Sequence, residues 1–417
     1  MRKHNLYKSI AATLLMGVVL LASCKKGSDD PTPDDPKVDP PVVEPPPSLA
    51  TVRSWLTDKN ATEETAALFY NLKKMAKTNV LFGHQDATKR GVTDASTQWA
   101  NEQQFSGVSS LKSDVKDVTG AYPAVYGFDY LQISGFFDDT WGWFGYEKQI
   151  ARQLSIEAYN RGGVCTYSWH YGNPVSKGSF YWSDSPVEAV SKILPGGSEH
   201  ETFKNSLKVV ADHAKTLVGA DGKLVPVIFR PFHEFDGDWF WWGKAHCTAE
   251  QYKALYQFTV TYLRDELGVH NFIYAWSPGE SYTSEAQYLE RYPGDAYVDL
   301  VGTDNYGDMK VISNPTAAAN KFKIVSDYAK RQNKLAALTE TGLQKLTKSD
   351  WYTQILLKSL KQNKLEFCYA MVWANTKDAY WTPYKGHPAE SDFKMFKNDP
   401  YMIFGDKLTA TTMYKIK

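Results

Sequence analysis

Two glutamates stand in contexts suited to proton transfer and nucleophilic attack. Glu234 lies in RPFHEFDGDWFWWG (230–243) and Glu340 in LTETG (338–342). His233 directly precedes Glu234, and a His-Glu pair is half of the zinc motif HExxH. Phe235, Asp236 and Gly237 follow instead, so the second histidine is missing and no metal is expected. Neither a G-x-S-x-G elbow nor a P-loop occurs, which removes the commonest serine hydrolases and NTPases. What remains is a pair of carboxyl groups. Cleaving a glycosidic bond needs such a pair, one protonated on the leaving oxygen and one ionised at the anomeric carbon. A glutamate among so many rings should titrate high, at roughly 6 to 7 in working enzymes. A lone glutamate at a strand end is more often a salt bridge or turn contact; two that converge on one place are not.

Whether they converge depends on the elements that carry them. Eight short β-rich runs alternate with longer amphipathic stretches: 79–85, 123–130, 163–171, 224–234, 271–278, 297–307, 335–342 and 367–376. Each is nearly continuous in hydrophobicity, as expected of strands buried on both faces. Between them, TAEQYKALYQFTVTYLRDEL opens on Thr248, an N-cap, and repeats apolar residues at helical spacing. PTAAANKFKIVSDYAKRQN, DWYTQILLKSLKQN and the opening ATEETAALFYNLKKMAKT read likewise. The alternation predicts a (β/α)8 TIM barrel with insertions in its loops. A doubly wound sheet would usually show a Gly-rich phosphate turn after its first strand, where this sequence has GHQDAT. Polar or aromatic residues also recur at the strand ends: His84, Gln85, Asp129, His170, His233, Glu234, Asp304, Tyr306, Glu340 and Trp373. In a barrel those ends meet on one face. Glu234 then follows the fourth strand and Glu340 ends the seventh.

These residues carry a family resemblance. RPFHEFDGDWFWWG, LTETG, LFGHQ, SWHYGNP and GTDNY together resemble glycoside hydrolase family 26, over a span from about Leu81 to Trp373. That family is dominated by retaining endo-β-1,4-mannanases. The resemblance implies Glu234 as acid/base and Glu340 as nucleophile. It further implies that His170, Trp182, His233, Trp239, Asp304, Tyr306 and Trp373 line the mannosyl subsites, and that Arg230 supports the nucleophile from below. No cofactor or metal is called for. In related mannanases an Arg often follows the eighth-strand Trp; here Ala374 follows Trp373, which bears on the distal subsites and the product pattern. Two alternatives stand beside mannan hydrolysis: the same machinery acting on β-1,3/1,4-glucan or β-1,3-xylan, and a non-catalytic, lipid-anchored glycan binder. Of the aromatic run after Glu234, Trp239 is the expected sugar contact, and some of Phe240 to Trp242 are expected to be packing.

The rest of the chain sets the context. Residues 1–23 hold a basic leader and an apolar run too short to span a bilayer comfortably, an export signal. Leu21-Ala22-Ser23-Cys24 resembles the lipobox of bacterial lipoproteins, which implies lipidation at Cys24. The segment 24–48 is rich in Pro and Asp and cannot build a core, so it reads as a stiff spacer, on the order of 70 Å if fully stretched at ~3.1 Å per residue. Residues 49–417 are the expected catalytic domain. The expectation is an exported monomer, anchored in the bacterial envelope, with the outer membrane favoured by the absence of Asp after Cys24. The partners are a β-mannan substrate and a membrane. With 47 basic and 47 acidic residues there is no electrostatic footprint for nucleic acid. Cys165, Cys247 and Cys368 show neither metal nor disulfide spacing; the first and last lie in apolar runs, where a thiol is a small buried hydrophobe.

Overall fold

A strand apolar on both faces has no solvated side, so it must be covered above and below. All eight runs form such strands: β1 (Val80–Gln85), β2 (Val125–Asp129), β3 (Val164–Trp169), β4 (Val227–Pro231), β5 (Phe272–Trp276), β6 (Leu300–Asn305), β7 (Leu335–Thr341) and β8 (Phe367–Val372). Every residue in them is buried. The computed structural model describes residues 45–101, 111–134, 144–310 and 315–417. Cys24, the leader and the spacer as far as residue 44 lie outside the described residues. The compact unit spans Pro46–Lys417.

Each strand pairs in parallel with the next, and β8 pairs with β1, with Leu81 opposite Tyr369 and His84 opposite Val372. The sheet is therefore a closed (β/α)8 barrel, and closure removes the edges that an open sheet would leave unpaired. A two-residue strand, Met402–Ile403, adds to β1 beside Val80 and Leu81, and a short hairpin pairs Arg90–Val92 with Gln98–Ala100.

Helix starts follow from capping chemistry. The helix Glu63–Met75 begins where the Thr62 side chain accepts from Thr65 N, with Glu63 and Glu64 in its first turn and Lys73 and Lys74 in its last. Both ends match the helix dipole. The helix Ala249–Thr261 opens on a full capping box: Thr248 Oγ1 accepts from Gln251 N (3.1 Å), and Gln251 Oε1 accepts from Thr248 N (2.9 Å). Its periodic pattern continues past Thr261 as a π turn, Tyr262–Glu266. The stretch read as one regular helix at 350–363 is a π turn, Tyr352–Leu357, running into the short helix Lys358–Lys361.

Rings fill the layer between strands and helices. Phe82 of β1 meets Phe393, Phe396 and Phe404 at centroid distances of 5.4, 5.6 and 4.8 Å. Farther round, Tyr167, Tyr130, Phe229 and Phe272 touch in series, tilted, edge-on and stacked in turn, and His213 packs edge-on to Tyr130. Burial lowers His213 to about 3, so it packs there as a neutral ring. Cys165, Cys247 and Cys368 are all free and buried. Burial pushes the Cys165 and Cys368 thiols up to about 12, and both act as small hydrophobes.

One irregularity bears on function. In β7, Thr339 is an extra residue: β6 pairs skip from Leu338 to Glu340, and β8 pairs skip from Leu338 to Thr341. A bulge of this kind turns the following side chain. It sets Glu340 opposite Asp304 of β6.

The far end of the barrel is tied by Asp299, whose carboxylate accepts from Thr57 N (2.6 Å), Thr57 Oγ1 (2.9 Å) and Tyr274 N (2.9 Å). Asp299→Ala leaves those buried donors without an acceptor, and the expected loss is about 3 kcal/mol of unfolding free energy. Urea titration checks this. An unchanged midpoint would mean that the segment entering the barrel is not anchored there.

Candidate active site

The chain leaves β4 through an unusual turn. Phe232 and Glu234 both adopt left-handed backbone, with φ of 51° and 53°. Non-glycine residues rarely sit there, and the turn holds only because its surroundings over-determine it. Tyr252 Oη donates to Phe232 O (2.9 Å), Trp242 Nε1 to His233 O (2.8 Å), and Glu234 N to Ser277 O (3.0 Å). The strand read across 224–234 therefore ends at Pro231, because the next residues leave extended geometry.

The aromatic run after Glu234 divides by burial. Trp241 and Trp242 are fully buried and Phe240 nearly so, whereas Trp239 is 45% exposed. The Trp239 indole lies across Gly237, where a Cβ would fall 2.2 Å from the ring. That contact explains the glycine at this position. Trp239 Nε1 donates to Glu234 Oε2 at 2.9 Å. Burial, then the nearby charges of Glu340 and Asp304, raise the Glu234 pKa well above the usual carboxylate range, outweighing the indole bond and Arg230. The shift favours its acid form.

Glu340 is held by donors on both oxygens. Arg230 Nη2 donates to Oε1, and Tyr306 Oη donates to Oε2 at 3.0 Å. Arg230 is itself fully buried and also donates to Asp304 Oδ2 (2.6 Å) and Ser277 Oγ (3.2 Å). Asp304, expected to line a subsite, has a 0% exposed side chain in this ion pair. It backs the site as the partner of Arg230. His233 is likewise buried, its side chain 1% exposed, with Nε2 3.9 Å from Glu340 Oε1. Burial, then the charge of Arg230, pushes His233 well below its ordinary pKa, so it is neutral.

His170 meets His233 nitrogen to nitrogen at 3.2 Å, and Trp373 packs edge-on to it with ring centroids 5.7 Å apart. Trp182 is farther out on the loop after β3, stacked flat on His246 at 3.7 Å. Glu234, Glu340, Arg230, His170, His233, Asp304, Tyr306, Trp239 and Trp373 thus form one group linked by direct contacts. Trp182 joins it through the backbone bond from Trp182 N to Trp239 O (2.7 Å).

Two residues escaped the sequence reading. Asp129 was noted only as a strand end, yet its carboxylate is bonded to His170 Nδ1 at 2.5 Å. Tyr181, 43% exposed, stacks on Phe240 beside Phe180. Partial burial, then the charges of Glu234 and Glu340, push its hydroxyl up. Its one sequence signal was adjacency to Trp182.

A cation could be imagined here, because His233, Asp304 and Glu340 each offer a ligand atom within 4.8 Å of one another. Arg230 already supplies the positive charge between the two carboxylates. A metal ion would have to displace a guanidinium bonded to both.

Comparison with known proteins agrees with this geometry. The model of glycosyl hydrolase family 26 matches residues 57–407. A mannan endo-1,4-β-mannosidase of Bifidobacterium adolescentis is 36% identical over 375 residues, covering 84% of this chain and 36% of that protein. One of Bacillus subtilis is 28% identical and covers 62% of this chain and 68% of its own length. This chain therefore spans about a third of the first relative and two thirds of the second. Among solved structures, GH26C from Muricauda sp. MAR_2010_75 superposes with a TM-score of 0.81 at 38% identity, covering 90% of this chain and all of that one. The family 26 β-mannanase BoMan26A of Bacteroides ovatus gives 0.75 at 36%, covering 85% and 98%.

The electrostatics make a test that needs no substrate. Removing the Glu340 charge in Glu340→Gln takes away one of the influences raising Glu234, so Glu234 should titrate at lower pH than in the parent. Carboxyl carbon NMR on Glu-labelled protein reads this directly. A Glu234 titration that stays put or moves upward would show that the two groups do not sense each other.

Proposed function

Because this chain belongs to glycosyl hydrolase family 26, we propose that it hydrolyses β-1,4-mannosidic linkages in mannan, glucomannan or galactomannan with retention of configuration. One observation carries the reading: a glutamate after β4 whose pKa is raised by burial and a glutamate on β7 gripped by Arg230 and Tyr306 share one mouth of the barrel. The named relatives are mannan endo-1,4-β-mannosidases, which favours mannan over the glucan and xylan alternatives.

In the first step Glu340 attacks the anomeric carbon while the Glu234 proton passes to the departing oxygen; the C–O bond breaks and a glycosyl ester forms on Glu340. Arg230 and Tyr306 fix the attacking carboxylate, so little reorientation is needed when charge leaves it. In the second step Glu234, now ionised, takes a proton from water as its oxygen attacks the same carbon. Glu340 is released and the sugar keeps its β configuration. The ring of Trp239, exposed and bonded to Glu234, supplies an apolar face for the sugar beside the acid.

Unbranched β-1,4-mannan, followed by proton NMR during digestion, should show the β-anomer of new reducing ends first. Glu340→Gln should reduce the rate by roughly a thousandfold or more. An initial α-anomer would overturn retention, and no new reducing ends from the parent enzyme would overturn the hydrolase itself.

The chain is also tethered, on this reading, by lipid at Cys24, with the Pro/Asp-rich segment as spacer. Support comes from the lipobox-like Leu21-Ala22-Ser23-Cys24. Cys24→Ala should move the protein from the membrane fraction to the soluble one on cell fractionation; retention in the membrane would exclude this anchor.

A further inference from the structure

We infer that Asp129 is a positioning residue: by fixing the proton on His170 and through it the proton on His233, it sets which form of imidazole edge faces Glu340. The inference begins with the way Asp129 is held. Its Oδ1 accepts from Leu131 N (2.7 Å) and His170 N (3.1 Å), and its Oδ2 accepts from Ser168 Oγ (2.8 Å). Those bonds lock the carboxylate at the end of β2 and leave Oδ2 against His170 Nδ1 at 2.5 Å. An ionised carboxylate only accepts, so His170 Nδ1 carries a proton. Burial alone would raise Asp129, but the His170 contact and these hydrogen bonds hold its carboxyl below the usual range.

The next link follows from proton counting. His170 Nε2 faces His233 Nε2 at 3.2 Å, and one of the two nitrogens must donate. Among the described residues, the rings packed against His170 are Phe180, Phe240, Trp373 and His233, all edge-on or tilted. If His170 donated, it would be a cation, and neutral His233 would carry its proton on Nδ1. That atom is buried with no hydrogen-bond partner among the described residues. An orphaned N–H is a rarer and costlier defect than a bare acceptor. The cheaper arrangement has His170 neutral with Nδ1–H, and His233 donating Nε2–H to it. The His233 nitrogen 3.9 Å from Glu340 Oε1 then bears hydrogen. A lone pair there would repel the carboxylate; an N–H attracts it.

Asp129→Asn reverses the chain with almost no change of shape. Leu131 N and His170 N both donate to the Oδ1 position, so the amide must set its oxygen there and its NH2 against His170 Nδ1. His170 is then forced to the Nε2–H form, and His233 Nε2 becomes the acceptor, with its lone pair toward His170 and its outer edge changed toward Glu340. The catalytic consequence rests on the hydrolase reading above; the proton arrangement does not.

Long-range proton–nitrogen NMR on histidine-labelled protein is the test. In the parent, His170 should show a protonated Nδ1 with a bare Nε2, and His233 a protonated Nε2. In Asp129→Asn both should switch. On mannan, kcat should fall about tenfold or more with KM changed less than about threefold, because geometry survives while the proton pattern does not. Thermal melts confirm that the variant compared is folded. A parent His170 bearing its proton on Nε2 alone overturns the inference without any variant. So does a variant whose tautomers switch with no change in kcat. If the parent cleaves no mannan, the function falls, and the spectrum still decides the proton chain.

Discussion

The Arg230 guanidinium, buried at the heart of the barrel mouth, is the interaction on which the site depends. A buried cation is tolerated only with close, well-directed anions. Arg230 finds two, Asp304 on β6 and Glu340 on β7, while being carried by β4 itself. The closed barrel makes this possible, since strands distant in sequence turn their ends toward one point. The bulge in β7 completes it by setting Glu340 beside Asp304. Charge balance then spreads outward. Arg230 brings one positive charge to the two carboxyls it bonds, and burial raises Asp304 to about 8 even so; Glu234, which Arg230 does not bond, is raised well above the usual carboxylate range by burial and by Glu340 and Asp304. The difference between the two glutamates follows from which of them the guanidinium holds.

Much of the scaffold was legible in the residues. Doubly buried strands give continuous apolar runs, and all eight appeared as such, within a few residues of their observed ends. Thr248 announced a helix start because hydroxyl caps are local chemistry. The two glutamates stood out because their strand numbers, four and seven, could be counted along the chain. The division of the aromatic run also follows a readable rule: the ring next to two small polar turn residues is outside, and the rings approaching the helix are inside.

What escaped depended on contacts between distant segments. Asp129 looks like any strand-terminal acid until β3 brings His170 against it. Asp304 and His233, placed among the subsite residues by the family resemblance, have buried side chains, Asp304 paired with Arg230 and His233 against His170. Tyr181 lies on a long loop whose path no periodicity describes. The left-handed turn at Phe232 and Glu234 was invisible for a different reason. Neither residue type favours that backbone, so only the surrounding hydrogen bonds, from Tyr252, Trp242 and Glu234 itself, impose it.

The indole of Trp239, packed against Gly237, gives the acid a handedness. Its N–H engages Oε2 of Glu234. The carbonyl oxygen of a carboxylic acid accepts a hydrogen bond better than its hydroxyl does, so this bond favours the acid proton on Oε1. A symmetric group has become a directional one. Because the same ring is exposed, anything stacked on it lies beside the oxygen that does not give the proton, and the leaving group must be met from the other side.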